Sequence, residues 1–155
     1  MRSARLAALA CGLLLAACRP AATAEAPPGD PPARPLPADI VRALQTDERV
    51  LDCPHADAGA GRSGFNEDWV SARRVHLDDD GRADWLVEGR HSCLRRDGLA
   101  DWWIYAEGSQ GRRLLGRLRD VRGLEVLPSR SGGHAELRVL DDGGERILRY
   151  RDGGY

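Results

Sequence analysis

Apolar and polar positions change their rhythm along the chain, and each rhythm predicts a different kind of element. An apolar run over residues 6–17 follows Arg2 and Arg5. It is shorter than the roughly 20 residues a membrane-spanning helix needs, and a basic start before a short apolar run has the form of a signal peptide. Residues 19–37 show no apolar period. Ile40, Val41 and Leu44 then fall on one helical face, which predicts a short helix over residues 40–46 with Asp39 as its cap. Beyond it the pattern is that of strands: residues 69–77, 84–88, 101–106, 113–118, 124–127, 135–140 and 145–150. Glycine-containing turns separate them at Asp80-Gly81, Glu107-Gly108, Arg122-Gly123, Gly132-Gly133 and Asp142-Gly143. Consecutive antiparallel hairpins follow from that spacing. The expected fold is mainly β, an antiparallel sandwich or small barrel of about 7–8 strands with one short N-terminal helix.

Composition divides the chain at the same places. The 155 residues carry 23 basic and 24 acidic side chains, a formal charge of −1, and every basic residue is arginine. That balance excludes a nucleic-acid binder held by bulk positive charge. Residues 1–37 hold most of the prolines, whereas Trp69, Trp85, Trp102 and Trp103, every tyrosine and Phe65 lie beyond them. The domains are therefore a signal peptide at 1–17, a tether at 18–37 and one β domain at 38–155.

The end of the apolar run reads Leu15-Ala16-Ala17-Cys18, which resembles a bacterial lipobox, with Cys18 as the lipidated residue. The competing reading is an ordinary signal peptide with a chance cysteine. Arg19 stands where an aspartate would resemble an inner-membrane retention signal, so the expectation is an outer-membrane lipoprotein whose domain faces the periplasm. Residues 19–37, with Pro27-Pro28 and Pro31-Pro32, favour extended polyproline II, and at about 3 Å per residue they reach on the order of 60 Å. The lipid is the only membrane attachment expected.

Cys11 leaves with such a signal peptide and Cys18 carries lipid, which leaves Cys53 and Cys93 to pair in an oxidising compartment. A catalytic thiol at Cys53 with His55 is the alternative, and it requires a free cysteine in that compartment. The four histidines are scattered, and neither Ser63 nor Ser131 stands in a G-x-S-x-G turn. No catalytic residue is assigned.

One stretch suggests a metal. His76-Leu77-Asp78-Asp79-Asp80-Gly81-Arg82-Ala83-Asp84 is similar to calcium loops of the form D-x-D/N-x-D-G-x-x-D. Asp78, Asp80 and Asp84 would supply carboxylates, and Arg82 its carbonyl. His76 stands at the first position and Val87 at the twelfth, where calcium loops place oxygen ligands. This makes the site a weak calcium candidate beside a purely structural turn. No other cofactor is expected. Two loops suit a protein partner: Arg62-Ser63-Gly64 and Arg130-Ser131-Gly132 each present an arginine fork beside Ser and Gly.

The lipobox, the tether, Asp80-Gly81-Arg82-Ala83-Asp84, Trp102-Trp103-Ile104-Tyr105, Leu127-Pro128-Ser129-Arg130 and Tyr150-Arg151-Asp152-Gly153-Gly154-Tyr155 form one layout. Over roughly residues 50–155 it resembles small periplasmic β-domain lipoproteins, among them periplasmic lysozyme inhibitors and the immunity lipoproteins of xanthomonad-type bacteria. The resemblance implies a non-catalytic protein that binds a peptidoglycan hydrolase, inserting a Ser-Gly loop and an arginine into its acidic cleft. Either Ser63-Gly64 or Ser131-Gly132 fits that part. The second hypothesis is a structural, envelope-maintenance lipoprotein with a vestigial calcium turn.

Overall fold

The computed structural model describes residues 35–53 and 64–155. The signal peptide, Cys18, most of the tether, and Arg62 and Ser63 lie outside the described residues.

The helical region is longer than its periodicity suggests. Helix α1 spans Ala38–Gln45 and α2 spans Glu48–Leu51. Asp39 sits inside α1 and not at its cap, which is Pro37. The Asp39 carboxylate instead accepts from the Arg112 guanidinium at 2.8 Å. The capping carboxylate in this region is Asp47, which accepts the Arg49 N–H at 3.1 Å and opens α2. A 3₁₀ turn over Glu67–Trp69 leads into the sheet.

The strands are β1 Val70–Val75, β2 Asp84–Gly89, β3 Arg95–Arg96, β4 Leu99–Gly108, β5 Gly111–Ser131, β6 His134–Asp141 and β7 Gly144–Leu148. All pairings are antiparallel, in the order β1-β2-β4-β5-β6-β7, with the two-residue β3 on β4. The mainly β fold expected from the pattern is the fold observed, in one open sheet. The largest departure is β5. Residues 113–118 and 124–127 belong to a single 21-residue strand, and Arg122-Gly123 is no hairpin turn. The strand pairs with β4 up to Val121 and with β6 from Val121 onward. Asp120 at φ 52° and a register shift between Val121 and Gly123 mark the change of partner.

This long strand lets the sheet roll on itself. The Ala135 N–H donates to the Leu77 carbonyl at 2.6 Å, and Arg73 Nη2 donates to the Leu124 carbonyl at 2.7 Å. Those bonds bring the β1 side against β5 and β6. The inner face then packs Leu77, Leu86, Trp102, Ile104, Leu118 and Val139 together. The outer face is buried beneath the helices, where Ile40, Leu44 and Val50 meet Trp85, Val87, Trp103 and Tyr105. Strand β4 therefore buries alternate residues on both faces, Trp102 and Ile104 inward, Trp103 and Tyr105 outward. Cys53 and Cys93 form the expected disulfide, with a Cα–Cα distance of 5.5 Å, and tie α2 to the turn before β3. Among the described residues no helix is long and apolar enough to cross a membrane.

Candidate functional site

The turn between β1 and β2 is built from its own side chains. Asp78 Oδ1 accepts the Asp80 N–H at 3.1 Å, and Asp80 Oδ1 accepts the Arg82 N–H at 2.7 Å. Gly81 takes φ 77°, a conformation that side-chain-bearing residues avoid. The bond from the Arg82 N–H holds the Asp80 carboxyl below the usual carboxylate range. The Arg82 carbonyl, expected among the calcium ligands, lies 2.9 Å from His76 Nδ1. Asp84 is fully buried, its Oδ2 accepting the Leu77 N–H at 2.7 Å and its Oδ1 the Glu107 N–H at 2.9 Å. Burial pushes its carboxyl up, against the lowering effect of those two N–H groups. Of the residues placed in the calcium loop, Asp78, Asp80, Arg82 and Asp84 thus each have an oxygen engaged by this chain, and Asp84 faces inward. Among the described residues, the group of ligand-type atoms gathered within 4.8 Å is Cys53, His91 and Cys93. Both sulfurs of that group are spent on the disulfide.

The turn between β5 and β6 is equally well fastened. Gly132 and Gly133 take φ 55° and 80°. A Cβ on Gly132 would lie 3.1 Å from the Tyr150 carbonyl oxygen, so only glycine lets residues 131–133 lie flush on Tyr150. Ser131 Oγ accepts the Tyr150 N–H at 3.0 Å, and the His134 ring stacks on the Tyr150 ring at 3.7 Å. Tyr155 meets Tyr150 edge-on and donates its hydroxyl to the Ala135 carbonyl at 2.6 Å.

These two turns are one site. Arg130 Nη2 lies 2.8 Å from Asp79 Oδ1, and its Nη1 donates to the carbonyls of Leu77 at 3.2 Å and Gly133 at 3.3 Å. His134 Nε2 approaches Asp78 Oδ2 at 3.7 Å. The acidic turn and the arginine-bearing turn, read separately in the sequence, therefore form a single ridge at one end of the rolled sheet. The sequence signal for their union is only the opposite charge of Asp78-Asp79 and Arg130, more than 50 residues apart. Arg130 is held in place by two carbonyls, yet its carboxylate partner is 81% exposed. Gly64 is exposed, directly before Phe65, which is anchored in the outer-face core.

A groove of about 590 Å³ borders the β1–β2 turn, lined by Pro35, Arg74, Arg82, Trp85, Glu107 and Arg112 among others. Arg112 there bridges Asp39 and Glu107. Comparison with known proteins adds no relative: no family model, curated protein or solved structure matches the chain.

Proposed function

We propose that this chain is a non-catalytic outer-membrane lipoprotein, anchored through Cys18 and facing the periplasm, that binds a cell-wall hydrolase and blocks its cleft. The observation that carries the reading is the state of Arg130. Its guanidinium is pre-positioned by the Leu77 and Gly133 carbonyls, while the carboxylate that neutralises it is a solvent-exposed one. Exposed ion pairs contribute about 0–1 kcal/mol, so releasing Asp79 costs little. A glycosidase-type cleft offers two carboxylates about 5–9.5 Å apart in an open groove. Arg130 entering that groove exchanges a wet carboxylate for a desolvated one, and close charge pairs of that kind couple by roughly 1.5–7 kcal/mol. Gly132 and Gly133, both exposed, keep the ridge narrow beside the arginine. Ser131 acts in support, because its hydroxyl is bonded to Tyr150. Arg62 and Ser63 carry no part of this reading.

The test is binding of the full chain to a panel of lysozyme-type hydrolases, with capture from periplasmic extract as the source of further partners. Inhibition that depends on Arg130 supports the proposal, and no binding at micromolar concentration contradicts it. The alternative, a structural envelope lipoprotein, draws support from one observation: the turn over residues 76–84 satisfies its own polar groups and ties strands together. It predicts intact binding surfaces with no hydrolase partner.

A further inference from the structure

The rolled sheet ends in a strand that has a neighbour on one side only. Strand β7 is last in the strand order and pairs with β6 alone. Its hairpin closes with Asp141 opposite Gly144 around Asp142-Gly143. A two-residue hairpin closes on a hydrogen-bonded pair, and bonded pairs alternate along an antiparallel ladder. Arg146 and Leu148 therefore bond inward to Val139 and Leu137, while the backbone N–H and C=O of Glu145 and Ile147 point out of the sheet. Arg149 follows the end of β7, and its Nε donates to the Glu136 carboxylate at 3.0 Å. Among the described residues, no backbone group outside the β6 ladder bonds to residues 145, 147 or 149. Natural edges are commonly blunted by proline or a bulge. This strand contains no proline, and its pairing with β6 runs without a register shift.

The side chains along that edge are self-complementary. Glu145 and Ile147 alternate onto one face of β7, Arg149 follows one residue beyond its end, and all three are exposed. Ile147 at 37% and its diagonal neighbour Leu140 at 43% are both exposed large apolar side chains. We propose that two copies of the chain join here, β7 antiparallel to β7, with the twofold axis through Ile147. In that register Ile147 faces the partner's Ile147, and Glu145 faces the partner's Arg149 on both sides of the axis. The groups that point outward are the ones such a pairing bonds. An axis through Glu145 or Arg146 sets like charges face to face, which destabilises cross-strand pairs. One through Leu148 sets Ile147 against an arginine and carries Glu145 past the end of the strand.

The experiment is sedimentation velocity of the full chain over a range of concentrations, with thermal melting of each variant as the check on folding. The wild-type chain is expected to dimerise reversibly. Glu145→Arg or Arg149→Glu alone places like charges opposite and is expected to weaken the dimer by at least about tenfold. The double variant Glu145→Arg, Arg149→Glu restores opposite charges and is expected to return within about threefold of wild type. A wild-type chain that stays monomeric to about 100 µM overturns the proposal. So does a dimer indifferent to the single reversals, or one that the double reversal fails to rescue.

Discussion

At the scale of single residues, Asp84 shows how one carboxylate is made structural. It accepts one N–H from Leu77, just past β1, and one from Glu107 near the end of β4, so it joins the β1–β2 turn to a second strand. Truncation leaves both donors unpaired in a dry site, and each such loss costs about 1–3 kcal/mol. Asp84→Ala is therefore expected to destabilise the domain by about 3 kcal/mol, measured by urea unfolding. The D-G-x-x-D spacing is legible in sequence, but it is shared by a metal loop and by a turn closed on its own backbone. What separates them is Glu107, whose N–H meets Asp84 across 23 residues, and no local pattern reports that. Asp101 gives a pH dependence of known sign. Burial raises its carboxyl above the ordinary value, and the nearby Arg49 and Arg119 only partly offset this. The folded state then binds the proton more tightly than the unfolded chain. The stabilisation is complete below the unfolded value near 4 and is lost as pH rises through the raised folded value. Asp101→Asn removes that contribution, so the gain in unfolding free energy from pH 7 to pH 4 should be smaller in the variant than in wild type. An equal or larger gain would contradict the assignment.

At the scale of elements, the helices matter because of what they cover. Asp47 caps α2, accepts from Trp103 Nε1 at 3.0 Å and forms an ion pair with Arg117 Nε at 2.8 Å, so one buried carboxylate fixes both helix and sheet. Asp47→Ala loses a cap and strands an indole N–H beneath the helices. A cost of about 2–4 kcal/mol is expected, read as a lower urea midpoint with an unchanged slope. The apolar face of α1 was legible from Ile40, Val41 and Leu44. Helix α2 was not, because its four residues are too few to show a period. The strands were legible through their alternation and their glycine turns, with one instructive exception. Arg122-Gly123 has turn composition, but the chain continues extended through it because β6 takes over from β4 as partner. Change of partner is a tertiary event, and local composition contains no trace of it.

At the scale of the whole molecule, rolling of the sheet creates the site. The bond between Ala135 and Leu77 lays the β5–β6 turn beside the β1–β2 turn, and Arg130 then locks the two together. The individual turns were readable as an aspartate turn and an arginine loop, whereas their contact depends on the rolling of the sheet. On the proposed reading, Cys18 is the residue that holds this ridge at the membrane. Cys18→Ser is expected to release the protein from the membrane fraction or leave it unprocessed, and a fraction still resistant to carbonate washing would contradict lipidation. The central claim is that the ridge is an inhibitory surface with Arg130 at its tip. Its most direct measurement is hydrolase inhibition by wild type, Arg130→Ala and Asp79→Ala, with melting temperatures recorded in parallel. Arg130→Ala should weaken inhibition at least about tenfold, and should also lose about 1–2 kcal/mol of stability with its two carbonyl bonds. Asp79→Ala, which frees the guanidinium, should inhibit as well as wild type or better. Equal inhibition by wild type and Arg130→Ala, with both folded, would contradict the account.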